Sequence, residues 1–288
     1  MNALGEAWRG RGRMVRLCGR SIFTVDIPAA GAERHPPLLV LHGFPSCSFD
    51  FHRVADGLAA DRRVLLLDML GYGLSDKPDI AYTLAGQADI AADWLGQLGV
   101  SRLGLLTHDM GDTVGGELLA RILEGGWEAE ITDRTLTNGS IYLELAHLSA
   151  GQHFLLGLPD ERLAPHGLEA SAVTAGVVAT YSADTEVSGS ETEALGEMIA
   201  HLDGPLLLPR LIRYIEERRR HERRFTGAIE RHPSPLSVVW GRDDPIAVPA
   251  MTEALGRARP DIRLEVLDGV GHYPMVEAPE RFLTAVLN

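Results

Sequence analysis

Short, continuously apolar runs alternate along the chain with stretches of helical spacing. Runs such as residues 38–41 and 103–106 contain no polar side chain, which is typical of strands buried on both faces of a parallel sheet. Residues 84–98 instead place Ile90 and Trp94 on one helical stripe. The predicted strands are residues 14–18, 22–27, 38–41, 63–67, 103–106, 135–137, 236–240 and 262–267. The sequence therefore predicts an α/β fold with a mostly parallel central sheet and helices on both faces.

The pattern changes between residues 141 and 231, where Ala- and Leu-rich helical stretches follow one another without a clear strand. A helical insertion in a parallel sheet is typical of a lid over the carboxyl ends of the strands, where α/β proteins place their sites. We therefore predict a core of residues 1–140 and 232–288 with an inserted helical lid (cap) of residues 141–231. The predicted helices are residues 51–60, 84–98, 149–156, 171–181, 191–200, 206–221 and 280–287, with a further helix from Thr113 onward.

Two charged stretches carry weaker signals. Residues 8–13 are basic and short, so we predict a frayed lead-in to the first hairpin rather than a nucleic-acid arm. The Arg/Glu cluster of residues 216–224 is predicted to be a solvated helix face rather than a phosphate site.

Composition limits the classes of partner. The chain has 288 residues, of which 45% are hydrophobic, and a net charge of −13, which disfavours nucleic acid and anionic membranes. Because it has no apolar window of 18 residues and no signal core, we expect a cytoplasmic protein, either monomer or homodimer. Cys18 and Cys47 lack metal-ligand spacing and are expected to be reduced thiols, so no metal is predicted.

The strongest candidate for chemistry is the stretch of residues 103–116. Its apolar run leads into Thr107, His108, Asp109 and Gly111, and a helical pattern follows, which is the strand–turn–helix layout of a nucleophile elbow. Aspartate at the central position is already an anion at neutral pH, so no base has to activate it. Its natural target is an electrophilic saturated carbon, such as that of an epoxide or a haloalkane. A plain helix cap is the simpler alternative for Asp109.

An acid and a base follow in the order that this elbow requires. Asp243 and Asp244 come directly after the predicted strand 236–240, and His272 follows the last predicted strand. The order nucleophile, acid, histidine is that of the α/β-hydrolase triad. Three such residues in order, each after a strand, favour a catalytic site over three unrelated turn residues.

These motifs together resemble the α/β-hydrolase superfamily, in particular its epoxide hydrolase and haloalkane dehalogenase branch. Two stretches beside the lid, residues 136–142 and 213–229, look most similar to the mesoderm-specific transcript proteins, which belong to that branch. The motifs that carry the resemblance are His42-Gly43-Phe44-Pro45, residues 68–78, residues 106–112, residues 241–245 and Gly271-His272-Tyr273-Pro274.

The resemblance implies a mechanism without a cofactor. Asp109 would attack carbon and form an alkyl-enzyme ester, and His272, oriented by Asp244, would activate the water that hydrolyses it. Asp244 matches the family's Gly-x-x-Asp spacing, and Asp243 is the alternative. The oxyanion would be held by the backbone N–H groups of Phe44 and Met110.

The same resemblance favours an apolar epoxide as the small-molecule substrate. Dehalogenases bind the leaving halide with side-chain N–H donors that Phe44 and Met110 lack. Epoxide hydrolases use lid tyrosines to protonate the epoxide oxygen, and Tyr214 lies near the expected place of one. The second is expected near Phe154, and the other lid-side candidates are Tyr142 and Tyr181. Haloalkane dehalogenation is the runner-up, and a non-catalytic binding or signalling protein on the same fold is the alternative of another class.

Overall fold

The apolar runs form one eight-stranded sheet in the computed structural model, which describes residues 1–288. The strand order is β1-β2-β4-β3-β5-β6-β7-β8. The pairs β1–β2 and β2–β4 are antiparallel, and all other neighbouring strands are parallel. The strands are β1 (Gly12–Leu17), β2 (Arg20–Ile27), β3 (Leu38–Leu41), β4 (Val64–Leu67), β5 (Arg102–His108), β6 (Glu130–Thr137), β7 (Leu236–Gly241) and β8 (Arg263–Leu267).

Burial explains why the central strands contain so few polar residues. Every residue of β3 and β4 is buried, and in β5 only the first residue is exposed. Covering both faces of a parallel sheet favours continuous apolar runs. The predicted α/β fold with a mostly parallel central sheet is confirmed. The helices are α1 (Ala3–Arg11), α2 (Ala55–Leu58), α3 (Leu84–Gln97), α4 (Met110–Leu123), α5 (Ala150–Gly157), α6 (Ala170–Val178), α7 (Gly189–Ala200), α8 (Leu208–Leu211), α9 (Tyr214–Arg231), α10 (Ala250–Ala258), α11 (Pro274–Glu277) and α12 (Pro279–Leu287).

The N-terminus departs from the prediction of a frayed lead-in. It forms helix α1, which Asn2 caps by accepting a hydrogen bond from the N–H of Gly5 at 2.9 Å. Trp8 is only 3% exposed, and its indole N–H donates to the Ser48 hydroxyl at 3.3 Å. The prediction was wrong because this single tryptophan anchors a helix whose other residues are mostly small or charged.

Helix α9 is also less solvated than its charge suggests. It packs along α4, and Arg218 on it is only 4% exposed, so the predicted solvated face is wrong at that position. From Arg218 to Glu230, every fourth residue of α9 bonds to the segment of residues 140–143, because positions four apart share one face of a helix. These bonds join Arg218 to the Ser140 carbonyl, Glu222 to the Leu143 N–H, Thr226 to the Ile141 carbonyl and Glu230 to the Tyr142 hydroxyl.

A second local difference lies after β3. The helix predicted over residues 51–60 is broken into a 3₁₀ turn, Ser48–Phe51, and the four-residue helix α2. None of the helices in the fold is both long enough and apolar enough to span a bilayer.

Candidate active site

The predicted nucleophile lies on a strained turn between β5 and α4. Asp109 has φ 50° and ψ −115°, a conformation that L-residues rarely adopt and that is typical of functional sites. Two glycines make room for the turn. A Cβ atom on Gly43 would lie 2.5 Å from the Asp109 Cβ, and one on Gly111 would lie 2.4 Å from the Leu41 carbonyl oxygen. Larger residues at either position would push the elbow out of place.

The Asp109 carboxylate is buried and already partly held by the backbone. It is 2% exposed, and its Oδ2 accepts a hydrogen bond from the Phe44 N–H at 2.8 Å. Met110 begins α4 directly after it, so its N–H lies at the free N-terminal end of that helix. Of the two predicted oxyanion donors, the Phe44 N–H therefore contacts Oδ2 directly, while Oδ1 has no backbone donor.

His272 stands between two carboxylates. Its Nε2 lies 3.9 Å from Oδ1 of Asp109, and its Nδ1 lies 2.7 Å from Oδ2 of Asp244. Oδ1 of Asp244 accepts from the N–H groups of Ile246 and Ala247 at 2.7 and 3.0 Å. Asp243, the alternative acid, instead accepts from the Ser182 hydroxyl at 2.9 Å. Of the two neighbouring aspartates, only Asp244 contacts the histidine.

Asn138 is a site residue that the sequence did not single out. It lies at the end of β6 with φ 50°, and its side-chain amide donates to Oδ2 of Asp244 at 2.6 Å. The side-chain oxygen of Asn138, Oδ1, accepts from the Gly241 N–H at 3.0 Å. The signal was the Asn-Gly pair after a strand, since asparagine tolerates a left-handed backbone, but that pair reads equally well as an ordinary turn.

The strand ends explain why these residues meet. Phe44, Asp109, Asn138, Asp244 and His272 follow β3, β5, β6, β7 and β8, respectively. These five strands are mutually parallel, so their carboxyl ends share one edge of the sheet. Ligand sites of open α/β sheets lie at this edge.

Burial and charge act in opposite directions on His272. Burial disfavours the imidazolium, but the carboxylates of Asp244 and Asp109 outweigh it and raise the pKa of His272 to about 9. Its neighbour His108 has no such partner, so burial and the charge of His272 lower the pKa of His108 to about 4. The Nε2 of His108 lies 2.8 Å from the His272 carbonyl oxygen. His108 therefore supports the backbone of His272 as a neutral side chain.

A largely apolar cavity of about 250 Å³ opens onto Asp109 and His272. Its walls come from the loop after β3, from the helices α5, α6 and α8 of the predicted lid, and from the loops after β7 and β8. The polar wall residues besides the two catalytic candidates are Ser149, Gln152 and Thr180. The apolar wall residues include Phe44, Phe154, Leu155, Leu168, Val173, Val177, Leu208, Ile246 and Tyr273.

The structure separates the three predicted lid tyrosines. Tyr214 is 4% exposed and packs on Phe44 with ring centroids 5.6 Å apart. Burial and then the charge of Asp109 raise the pKa of Tyr214. Tyr181 packs on Tyr273 and lines a neighbouring cleft. The Tyr142 hydroxyl donates to Glu230 at 2.8 Å, outside the cavity. Of the three, only Tyr214 packs on Phe44, a wall residue whose N–H contacts Asp109, and Tyr214 itself does not line the cavity.

Comparison with known proteins places these features in a family. A family model described as "Alpha/beta hydrolase family" matches residues 38–285. The Mycobacterium tuberculosis protein named "Putative hydrolase LipZ" is 37% identical over 98% of this chain and 96% of its own length. The mouse mesoderm-specific transcript protein is 31% identical over 98% of this chain and 86% of its own, which confirms that resemblance.

The fold is also that of solved structures. The haloalkane dehalogenase DbeA from Bradyrhizobium elkani has a TM-score of 0.77 at 20% identity, covering 96% of this chain and 95% of that one. At this identity the likeness concerns the fold alone. The family model, the two relatives that match over 98% of the chain and the shared fold all agree on one family. The chain belongs to the alpha/beta hydrolase family.

Proposed function

We propose that this hydrolase opens apolar epoxides to vicinal diols through a covalent ester on Asp109. The observation that carries the proposal is the position of one buried carboxylate. Its Oδ2 is held by the Phe44 N–H, and its Oδ1 lies 3.9 Å from His272 Nε2. This carboxylate stands at the base of an apolar cavity, where an uncharged, water-poor substrate is favoured.

We assign the two carboxylate oxygens different roles. Oδ1 attacks the epoxide carbon, and the ring C–O bond breaks as the leaving oxygen takes a proton from the Tyr214 hydroxyl, once that side chain reaches the cavity past Phe44. Oδ2 then becomes the ester carbonyl oxygen, to which the Phe44 N–H already donates, with the Met110 N–H as the second proposed donor.

Hydrolysis of the ester uses the other half of the site. His272 takes a proton from water, which attacks the ester carbonyl, and the oxyanion on Oδ2 is held by the backbone donors. When the intermediate collapses, its C–O bond to the alcohol breaks, the leaving alkoxide takes the remaining proton of the attacking water to give the diol, and the carboxylate of Asp109 is restored. The proton on His272 returns to the phenolate of Tyr214, so the cycle consumes only water.

The experiment that tests the proposal removes the base and traps the ester. We expect His272→Ala, incubated with 1,2-epoxyhexane, styrene oxide, 1-bromohexane and 1-iodohexane, to gain the mass of a whole epoxide. Intact-protein mass spectrometry measures the adduct. His272→Ala combined with Asp109→Ala is the matched control and should gain no mass.

Each other result has a definite meaning. A gain equal to the alkyl group without halide, and none from the epoxides, would make the protein a haloalkane dehalogenase. No adduct from any of the four compounds, together with an inactive wild type, would contradict the proposal and favour the non-catalytic alternative.

The pH dependence of ester hydrolysis gives a further prediction. In the free enzyme the charges of Asp244 and Asp109 raise the pKa of His272 to about 9. Esterification neutralises Asp109, so the pKa of His272 should fall and the neutral base become available. We expect the hydrolysis step to rise with pH and level off at an apparent pKa between about 6.5 and 9. Single-turnover decay of the ester across pH 5–10 measures it, and an apparent pKa above 9 would contradict the argument.

A further inference from the structure

Glu277 ends the short helix α11, which begins shortly after His272. Its carboxylate accepts four hydrogen bonds. Two of them come from the residues on either side of His272: Oε1 accepts from the Tyr273 N–H at 2.9 Å, and Oε2 accepts from the Gly271 N–H at 2.8 Å. One carboxylate therefore holds the backbone before and after the proposed base.

The same carboxylate also binds the predicted lid. Its Oε2 accepts from the Ser182 N–H at 2.7 Å and from the Thr185 hydroxyl at 2.8 Å. The two segments are in close contact here, since a Cβ atom on Gly271 would lie 2.5 Å from the Ser182 nitrogen. Glu277 thus joins the loop that carries His272 to a lid segment.

Other contacts of this loop are to uncharged groups. The Gly271 carbonyl accepts from the Asn138 amide at 3.3 Å. The His272 N–H donates to the Thr180 carbonyl at 3.0 Å. Hydrogen bonds to an ionised carboxylate are about twice as strong as bonds between neutral groups. Losing the carboxylate of Glu277 would therefore release the two N–H groups beside the base and leave the weaker contacts in place.

We propose that Glu277 is a positioning residue that holds His272 in place and makes that placement depend on the lid. The inference rests on the proposed function, in which His272 serves ester hydrolysis and takes no part in the attack of Asp109 on the epoxide. A displaced base therefore slows hydrolysis and leaves alkylation unchanged, whereas a general structural fault slows both steps.

Glu277→Gln separates these two cases. An amide has a single acceptor oxygen, so either the Tyr273 N–H or the Gly271 N–H must face its NH₂ group. We expect ester hydrolysis to slow about tenfold to a hundredfold, as for a misplaced catalytic group, while alkylation by 1,2-epoxyhexane stays within about threefold. Single turnovers with excess enzyme, followed by intact-protein mass, give both rates, and a normal alkylation rate shows that the variant is folded.

The hydrolysis rates are compared on their high-pH plateau. Burial lowers the pKa of His272, and the charges of Asp244, Asp109 and, last, Glu277 raise it. Removing the charge of Glu277 alters the protonation of His272 as well as its position. On the plateau the base is neutral in both proteins, so the remaining loss reports its position.

Two further variants complete the test. Glu280→Gln is the matched control, because Glu280 is an exposed acid in the first turn of α12, and it should change neither rate. Thr185→Val removes one lid donor and keeps both bonds to the His272 loop. We expect it to speed amide exchange at Gly271 and Tyr273 about twofold to tenfold, the effect of one hydrogen bond, as measured by NMR.

The outcomes that would overturn the inference are distinct from failure of the proposed function. If Glu277→Gln hydrolyses the ester at the wild-type rate, or slows both steps equally, the positioning role is overturned and the proposed function stands. Unchanged amide exchange in Thr185→Val would overturn the dependence on the lid.

A spectroscopic measurement tests Glu277 without any substrate. The Nδ1 proton of His272, which bonds to Asp244 at 2.7 Å, should give a low-field NMR signal that is absent from His272→Ala. We expect this signal to shift or weaken in Glu277→Gln and to stay unchanged in Glu280→Gln. If His272→Ala forms no epoxide ester, the proposed function is overturned, and an unchanged signal in Glu277→Gln would overturn the positioning role separately.

Discussion

Asp109→Asn is expected to reduce epoxide turnover on the order of 10⁶-fold, the loss typical of removing a catalytic nucleophile. An amide has no anionic oxygen to attack carbon. Steady-state diol formation, measured by chromatography over long incubations, gives the size of the loss. A residual rate above about one hundredth of the wild type would show that the reaction does not pass through an Asp109 ester.

Asp112→Asn is the matched control for this prediction. Asp112 is a neighbouring carboxyl, 1% exposed, that accepts a hydrogen bond from the Thr107 hydroxyl. Burial raises the pKa of Asp112 well above its ordinary range, which favours the uncharged acid, a group that an asparagine resembles in size and charge. We expect turnover in Asp112→Asn to stay within about tenfold of the wild type, which separates the loss of a nucleophile from the loss of any buried acid.

Asp109 is expected to lower the free energy of unfolding of the protein although activity requires it. Asp109 holds a left-handed backbone with ψ −115° and a buried carboxylate. Such conformations cost of order 1–3 kcal/mol, and glycine adopts them without the Cβ penalty. Asp109→Gly should therefore be inactive but at least as stable as the wild type in urea denaturation, whereas a residue with a merely structural role would destabilise the protein on removal.

The sheet and the central site residues were predictable because their signals are local. The apolar run of β5 followed by Asp109 predicted the elbow, and that turn has the expected strand, strained residue and helix. Parallel strands must be apolar to be buried on both faces, so the strand ends could be located from the pattern, and with them His272 and the pair Asp243 and Asp244. The choice of Asp244 within that pair came from the resemblance to the family.

Residues whose roles depend on distant partners could not be found this way. Asn138 matters because the ends of β6 and β7 adjoin, which lets its Nδ2 donate to Oδ2 of Asp244 at 2.6 Å. The residues next to Asn138 in the sequence indicate neither of these contacts. Trp8 is buried through its contact with Ser48, forty residues away. The hydroxyl of Tyr142 is taken by Glu230, 88 residues away, so tyrosines that look equivalent in sequence differ in the fold.

Asp244→Asn is expected to lower turnover about 10⁴-fold, the effect of holding a catalytic histidine in the wrong tautomer. Oδ1 of Asp244 accepts from the N–H groups of Ile246 and Ala247, so an asparagine must place its oxygen there. Its NH₂ group then faces Nδ1 of His272, which becomes an acceptor and leaves the ring proton on Nε2. A histidine in that state has no lone pair to take a proton from water.

Asp243→Asn is the matched control. It tests whether the loss of turnover is specific to Asp244 or follows from removing any acid in this loop. Asp243 has the same charge one residue earlier but contacts Ser182 instead of His272. We expect it to keep turnover within about threefold of the wild type, while Asp244→Asn accumulates the ester during turnover because only hydrolysis needs the base. Equal losses in the two variants would assign the effect to net charge. Loss of ester formation in Asp244→Asn, measured by intact mass, would show that the acid acts before hydrolysis and contradict its role through His272.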